Sequence, residues 1–245
     1  MTEHWLVLGA SSAIARAFIR EVARRGAALT LAGRDLADME AAAADARLRG
    51  ASAARILACD AADPVSREAF LAQALVPGTR LNVLLAVGSM PSQDTMDADP
   101  SALSRMIEST YVGPVALLQG LAPSFEAQRS GRIIVIGSVA GDRGRRKNYL
   151  YGSAKAALAR YTEGLRARLF PSGAGVTLVK PGFVDTAMTW GVPGLFLVAS
   201  PDACAAAILR AAEHGRETVY VPFFWRYIML VIQHVPAGLM KRTRF

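Results

Sequence analysis

The sequence predicts an α/β fold of the Rossmann type: a doubly wound parallel sheet of about seven strands with helices on both faces. Three observations carry this. Short apolar runs alternate with helical stretches through most of the 245 residues, and that alternation implies parallel pairing through crossover helices. The strand-like runs are apolar on both sides, as a sheet covered on both faces requires. No Pro/Gly/Ser-rich linker and no repeat divides the chain, so residues 1–222 read as one domain, with 223–245 as an apolar and basic C-terminal extension.

Taken in order, "WLVLGA" (5–10) reads as a strand and "AIARAFIREVARRG" (13–26) as an amphipathic helix stopped at Gly26. "ALTLAG" (28–33) is the second strand, followed by an Ala-rich helix over 36–49. "ARILACD" (54–60) and "LNVLLAVG" (81–88) are strands flanking a helix over 64–76. A long helix is expected over roughly 100–128, disturbed at Pro114 and Pro123. Then come a strand at 132–138, a helix at 149–170, a strand at 175–182, a helix at 201–214 and a strand at 217–222.

The composition is 52% hydrophobic, enough for a large core. Cys59 and Cys204 lie far apart and in no metal-ligand spacing, which fits a reducing compartment rather than a disulfide framework. No basic-then-apolar leader is evident at the N-terminus, so a cytoplasmic location is expected. Twenty-eight Lys and Arg against 20 Asp and Glu give +8. That balance suits anionic partners or simply a solvated basic surface, and no basic-and-aromatic nucleic-acid motif accompanies it.

In such sheets ligands bind beyond the carboxyl ends of the strands, so the loops there carry the chemistry. "GASSAIARA" (9–17) occupies the place of a dinucleotide-binding turn. Gly9 allows the bend, Ser11 and Ser12 offer hydroxyls, and the helix opening at Ala13 and Ile14 offers free N–H groups to phosphate. Ala13 and Ala15 stand where a glycine-rich version has glycines. After the second strand, Arg34 stands where an NAD-selective site places a carboxylate; a guanidinium there suits a 2′-phosphate, favouring NADP over NAD. Asp35 reads as a helix N-cap, and Asp63 before Pro64 as another. Asp60, next to Ala61, either binds the adenine amino group or caps the helix that follows. Ala86, Val87 and Gly88 form a small-residue turn where a backbone can pass close to a cofactor. "KPGFVDTAMT" (180–189) supplies Pro181, Gly182, Val184 and Thr186. Ser138 follows the fifth strand, and Tyr151 and Lys155 lie four apart, on one face of a helix.

This pattern resembles the short-chain dehydrogenase/reductase family over residues 5–222. It does so through "GASSAIA", "AGR", "CDAAD", "AVG", "IGSVAG", "YGSAK" and "KPGFVDT". The segments 136–158, 179–189 and 220–230 further resemble reductases of decaprenylphosphoryl 2-keto-pentoses. The resemblance implies an NADP(H)-dependent carbonyl reductase. Tyr151 would exchange the proton, Lys155 would favour its phenolate and hold the ribose, and Ser138 would donate to the substrate oxygen. It also implies a homodimer or homotetramer. One departure is Thr110 in "TYVG", where the family usually has an asparagine that holds a helix distortion and a proton relay. That departure leaves open a non-catalytic nucleotide-binding scaffold.

Two further segments bear on the substrate. "GDRGRRK" (141–147) precedes Tyr149 where the substrate mouth is expected; it either holds an anionic group through Arg143, Arg145 and Arg146, with Arg143 and Tyr149 as substrate residues, or is a solvated loop. The tail, with Phe223, Phe224, Trp225, Tyr227 and Ile228 followed by "KRTR" (241–244), either lies at a membrane interface or covers the pocket or a subunit contact. A lipid-linked carbonyl substrate would explain both features.

Overall fold

The computed structural model describes residues 2–191 and 194–243. Seven strands form one parallel sheet: β1 (Thr2–Leu8), β2 (Ala28–Gly33), β3 (Ala53–Ala58), β4 (Thr79–Leu85), β5 (Arg132–Ile136), β6 (Gly175–Pro181) and β7 (Thr218–Val221). Their order is β3-β2-β1-β4-β5-β6-β7, so the topology reverses between β1 and β4. That places the binding crevice over the ends of those two strands.

Alternate side chains of each strand enter opposite layers. Trp5, Val7, Leu29, Leu31 and Ile134 pack with α1 (Ala13–Ala23), α2 (Leu36–Leu48) and α8 (Pro201–Glu213). Leu6, Leu8, Val83, Leu85 and Val135 pack with α3 (Pro64–Ala74), α6 (Gly113–Gln128) and α7 (Tyr149–Leu169). Each fully buried Leu or Phe contributes roughly 1.5–3 kcal/mol, so the two layers dominate the stability. The free thiols Cys59 and Cys204 are buried, one in each layer.

Each strand but β2 ends one to three residues before its predicted limit. The small residues that read as strand ends, such as Gly9–Ala10 and Ala86–Gly88, leave the sheet as turns, and Ala86–Gly88 border the crevice. Gly9 turns with φ +79° and donates its N–H to the Ala32 carbonyl at 2.9 Å. The predicted N-caps hold: Asp35 accepts from Asp38 N–H, and Asp63 from Val65 and Ser66 N–H.

The long helix expected over 100–128 is not continuous. α5 (Pro100–Ile107) passes through one wide, π-type turn at Glu108–Val112 before α6 begins. Pro114 follows the wide turn directly and offers no N–H to the carbonyl of Thr110 four residues earlier, while Pro123 is accommodated inside the helix. The disturbance therefore falls across Thr110, in the turn just before Pro114, and not at Pro123. Pattern reading also missed three short helices: α4 (Gln93–Ala98), α9 (Trp225–His234) and α10 (Ala237–Met240).

His4 is buried, and its Nε2 lies 2.8 Å from the Thr30 hydroxyl. Burial, and secondarily the charge of Arg55, lowers its pKa from 6.5 to about 4. The unfolded chain therefore binds a proton that the folded chain refuses as pH falls from 6.5 toward 4. Stability is lost across that window, by about 3 kcal/mol in total. Denaturant unfolding at several pH values is expected to show this slope in the wild type and a shallower one in His4→Gln; equal slopes would contradict it.

Candidate active site

One cavity of about 460 Å³ opens over the carboxyl ends of β1, β4, β5 and β6. Its walls carry Ser11, Ser12, Ala13 and Ile14 from the first turn and Ala86, Val87 and Gly88 from the second. Ser138, Tyr151 and Lys155 lie beside them, and Pro181, Gly182, Val184 and Thr186 complete the set. These sequence-predicted residues come from four strand ends and their loops and from two helices, α1 and α7, and the fold brings them together.

At the first turn, a Cβ on Gly9 would lie 2.6 Å from the Ala86 carbonyl oxygen. The turns after β1 and β4 are in contact there, with no room for a side chain. Ser12 caps α1, its hydroxyl accepting from Ala15 N–H at 3.2 Å, which leaves the Ala13 and Ile14 N–H groups pointing out of the helix end. That is a phosphate cradle with the helix dipole behind it. Ala13 borders the cavity, whereas Ala15 is fully buried in the core and does not narrow the cradle.

Ser138 caps a short 3₁₀ turn, Val139–Asp142, its oxygen accepting from Ala140 N–H at 3.0 Å. Its own O–H is left to donate into the cavity. Tyr151 is packed among Met96, Met106 and Ala154. Burial pushes its phenol up to about 12, against a smaller opposing effect of Ser138. Lys155, one turn on, donates to the Ile136 carbonyl at 2.9 Å and lies 5.8 Å from the Tyr151 ring centre. Burial brings its ammonium down to about 8. At neutral pH the site thus holds a protonated phenol beside a cation.

Thr110 is buried behind this wall and does not border the cavity. Its hydroxyl accepts from Ser89 N–H and donates to Ser89 O, both at 3.1 Å, tying the wide helical turn to the loop after β4. A Cβ on Gly88 would meet Lys155 Nζ at 3.4 Å and Thr110 Oγ1 at 3.5 Å, so the three adjoin. The helix distortion is kept without an asparagine. Thr110, at the place of the family's usual asparagine, therefore positions its neighbours and does not itself reach the cavity.

Several predicted residues lie elsewhere. Arg34 is exposed on the rim beyond β2. Asp60 accepts from Ala62 N–H at 2.9 Å in a local turn, and neither it nor Ala61 lines the cavity. Tyr149 faces solvent and donates to Asp97 at 2.8 Å, because one residue's offset from the Tyr151 face would be too little and two turn it away. Arg143 donates to the Val235 carbonyl at 3.0 Å and so anchors the end of α9. Of the basic run's candidates Arg145 does line the cavity, and beside it stands Asn148, which sequence reasoning missed, as it did Arg16 and Met90. The basic run signalled a cation there but not which of its members turns inward.

The C-terminal aromatics divide. Trp225 is buried over the turn after β6, where a Cβ on Gly182 would collide with its indole, and it packs on Phe183 and Phe196. Phe223 and Tyr227 are exposed. Of the basic end, Lys241 and Arg242 are exposed and Arg244 lies outside the described residues. No helix among the described residues is long and apolar enough to cross a membrane.

Residues 3–193 match the model of the short chain dehydrogenase family. The chain belongs to that family. This short-chain dehydrogenase is 36% identical over 242 residues to an uncharacterized oxidoreductase of Streptomyces coelicolor, covering 97% of this chain and 94% of the other. An uncharacterized oxidoreductase of Mycobacterium tuberculosis is 33% identical, with 91% of each chain covered. A short-chain dehydrogenase from Sphingobium yanoikuyae, solved in complex with NADPH, superimposes with a TM-score of 0.83 at 26% identity, covering 99% of this chain and 96% of that one. As a short-chain dehydrogenase the protein is an oxidoreductase enzyme with a Rossmann-type sheet.

Proposed function

We propose that this short-chain dehydrogenase interconverts a carbonyl and an alcohol with NADP(H), Tyr151 exchanging the proton. The observation that carries the reading is the convergence of Ser138, Tyr151 and Lys155 on the cavity that also holds the α1 helix end. The cofactor fits what is there: free N–H groups at Ala13 and Ile14 for the pyrophosphate, a glycine-only approach at Gly9, and Arg34 for a 2′-phosphate. Bound NADPH supplies the hydride.

The chain's own residues handle the oxygen. Ser138 O–H donates to the carbonyl, whose negative charge grows as the carbon is reduced. Tyr151 gives its proton to that oxygen, and Lys155 stabilises the phenolate left behind. Thr110 fixes the Ser89 loop against which Lys155 rests. The scaffold alternative draws no support, since all three chemical groups face the cavity. A keto-sugar or lipid-linked substrate and a homodimer or homotetramer are finer readings; the exposed apolar Phe223, Tyr227, Leu230 and Val231 on and beside α9 suit a lipid chain or a second copy of the chain.

The test is NADPH consumption, followed by absorbance, across a panel of ketones and aldehydes. Turnover of any member supports the reading. Absence of turnover across aliphatic, aromatic and sugar carbonyls would contradict it. Arg34→Ala is expected to weaken NADPH binding by about 10–100-fold and leave NADH binding unchanged, since a charge-assisted contact is worth ~1.5–3 kcal/mol. A direct binding titration with each nucleotide checks it.

A further inference from the structure

We propose that the substrate carries an anionic group, a carboxylate or a phosphate, held by the Arg145 guanidinium within the same cavity as the reacting carbonyl. This rests on the carbonyl-reductase reading above and names its substrate class.

The described residues that line the cavity include three cations, Arg16, Arg145 and Lys155, and no Asp or Glu. Arg16 is paired with Asp38. Lys155 stands beside Tyr151 and is held by the Ile136 carbonyl. Arg145 is different: its Nε is buried and has no hydrogen-bond partner among the described residues. The carboxylate three residues earlier, Asp142, is already engaged by Lys180 Nζ and by Tyr220 Oη. Burial draws the Arg145 guanidinium below its ordinary value, with the Asp142 charge opposing. A half-buried cation without a partner is unfavourable, and an anion delivered by a ligand relieves that.

The position argues against a cofactor phosphate as that anion. The phosphate cradle and Arg34 lie on the β1–β2 side of the crevice, whereas Arg145 follows β5 and precedes α7 on the other side. Beside it, Asn148 also lines the cavity with its amide oxygen buried and unpartnered among the described residues. Whichever way the amide is turned, it offers the substrate a second polar contact. Arg143, two residues earlier, is committed to Val235, so the run contributes one inward guanidinium.

The experiment uses two charge-paired sets: 4-carboxybenzaldehyde with 4-methylbenzaldehyde, and dihydroxyacetone phosphate with dihydroxyacetone. Binding is measured by calorimetry on protein saturated with oxidised NADP, so that nothing turns over, and kcat/KM is measured separately with NADPH. In the wild type the anionic member of at least one pair is expected to bind about tenfold or more tighter than its neutral partner. Arg145→Gln is expected to remove that advantage, Arg145→Lys to keep part of it, and both to leave NADPH affinity unchanged. The pair that shows the effect tells carboxylate from phosphate. Equal binding within both pairs, no binding in either, or an advantage that survives Arg145→Gln would overturn the proposal. So would a loss of NADPH affinity in Arg145→Gln with the substrate discrimination intact. Charge-dependent binding, with no turnover of these compounds or of any carbonyl in the wider panel, would instead sink the reductase reading and leave the anion site standing.

Discussion

Tyr151→Phe is expected to lower kcat by about 10³-fold or more while NADPH affinity stays within about threefold. The change removes one oxygen and leaves the ring, so the packing against Met96, Met106 and Ala154 is retained. What disappears is the proton source for the carbonyl oxygen. Because burial holds this phenol near 12, it is loaded with its proton throughout the neutral range. The pH limit on reduction therefore comes from Lys155, whose ammonium is lost as pH rises through about 8. Reduction is expected to be level below that value and to fall above it, as the phenolate formed in the reaction loses its neighbouring charge. Steady-state rates of wild type and variant, with nucleotide binding measured separately, check both parts. A variant that keeps a tenth or more of the wild-type kcat would remove Tyr151 from the chemistry.

Gly113→Ala is expected to cost about 3 kcal/mol or more and to lower Tm by roughly 6–12 °C. The glycine opens α6 where that helix crosses the loop after β3. A Cβ there would lie 1.8 Å from the Ala61 carbonyl oxygen and 2.6 Å from its carbon. Both are backbone atoms, so no side chain can swing aside to relieve the overlap. The helix must instead move off the β3 loop, and it carries the Thr110 turn with it. Thermal unfolding gives the first readout and kcat the second, because Ser89 and the Lys155 wall depend on that turn. A variant with unchanged Tm would mean that α6 slides freely over Ala61.

Fold and site were readable from the sequence to different depths. The layer architecture follows from runs such as "WLVLGA" and "RIIVIGS", whose apolar residues on both faces have no other economical use than a covered sheet. The phosphate turn and the Ser138, Tyr151 and Lys155 set followed from spacing, since helix geometry alone puts Tyr151 and Lys155 on one face. What pattern could not decide was direction within an irregular loop. In 141–147 four basic side chains share one composition, yet Arg143 reaches α9 and Arg145 enters the cavity. The two lie in an irregular loop between the 3₁₀ turn and α7, and no periodicity encodes which way its side chains face. Likewise the exact place of the wide turn at Glu108–Val112 was hidden inside a continuous helical pattern, because the Ser89 backbone that bonds to Thr110 lies 21 residues away. The aromatic tail was ambiguous for the opposite reason. The same composition suits burial and exposure, and the fold uses Trp225 for one and Phe223 for the other.

The central claim, a nucleotide crevice selective for NADP(H), is tested most directly by titrating the purified protein with NADPH and with NADH. The readout is energy transfer from tryptophan to the reduced nicotinamide. Trp225 sits over the Gly182 turn that borders the crevice, so it is placed to report occupancy. Saturable quenching by NADPH, with NADH at least about tenfold weaker, is the predicted result. Failure of both nucleotides to quench would contradict the account at its base, and equal affinities would remove Arg34 from it.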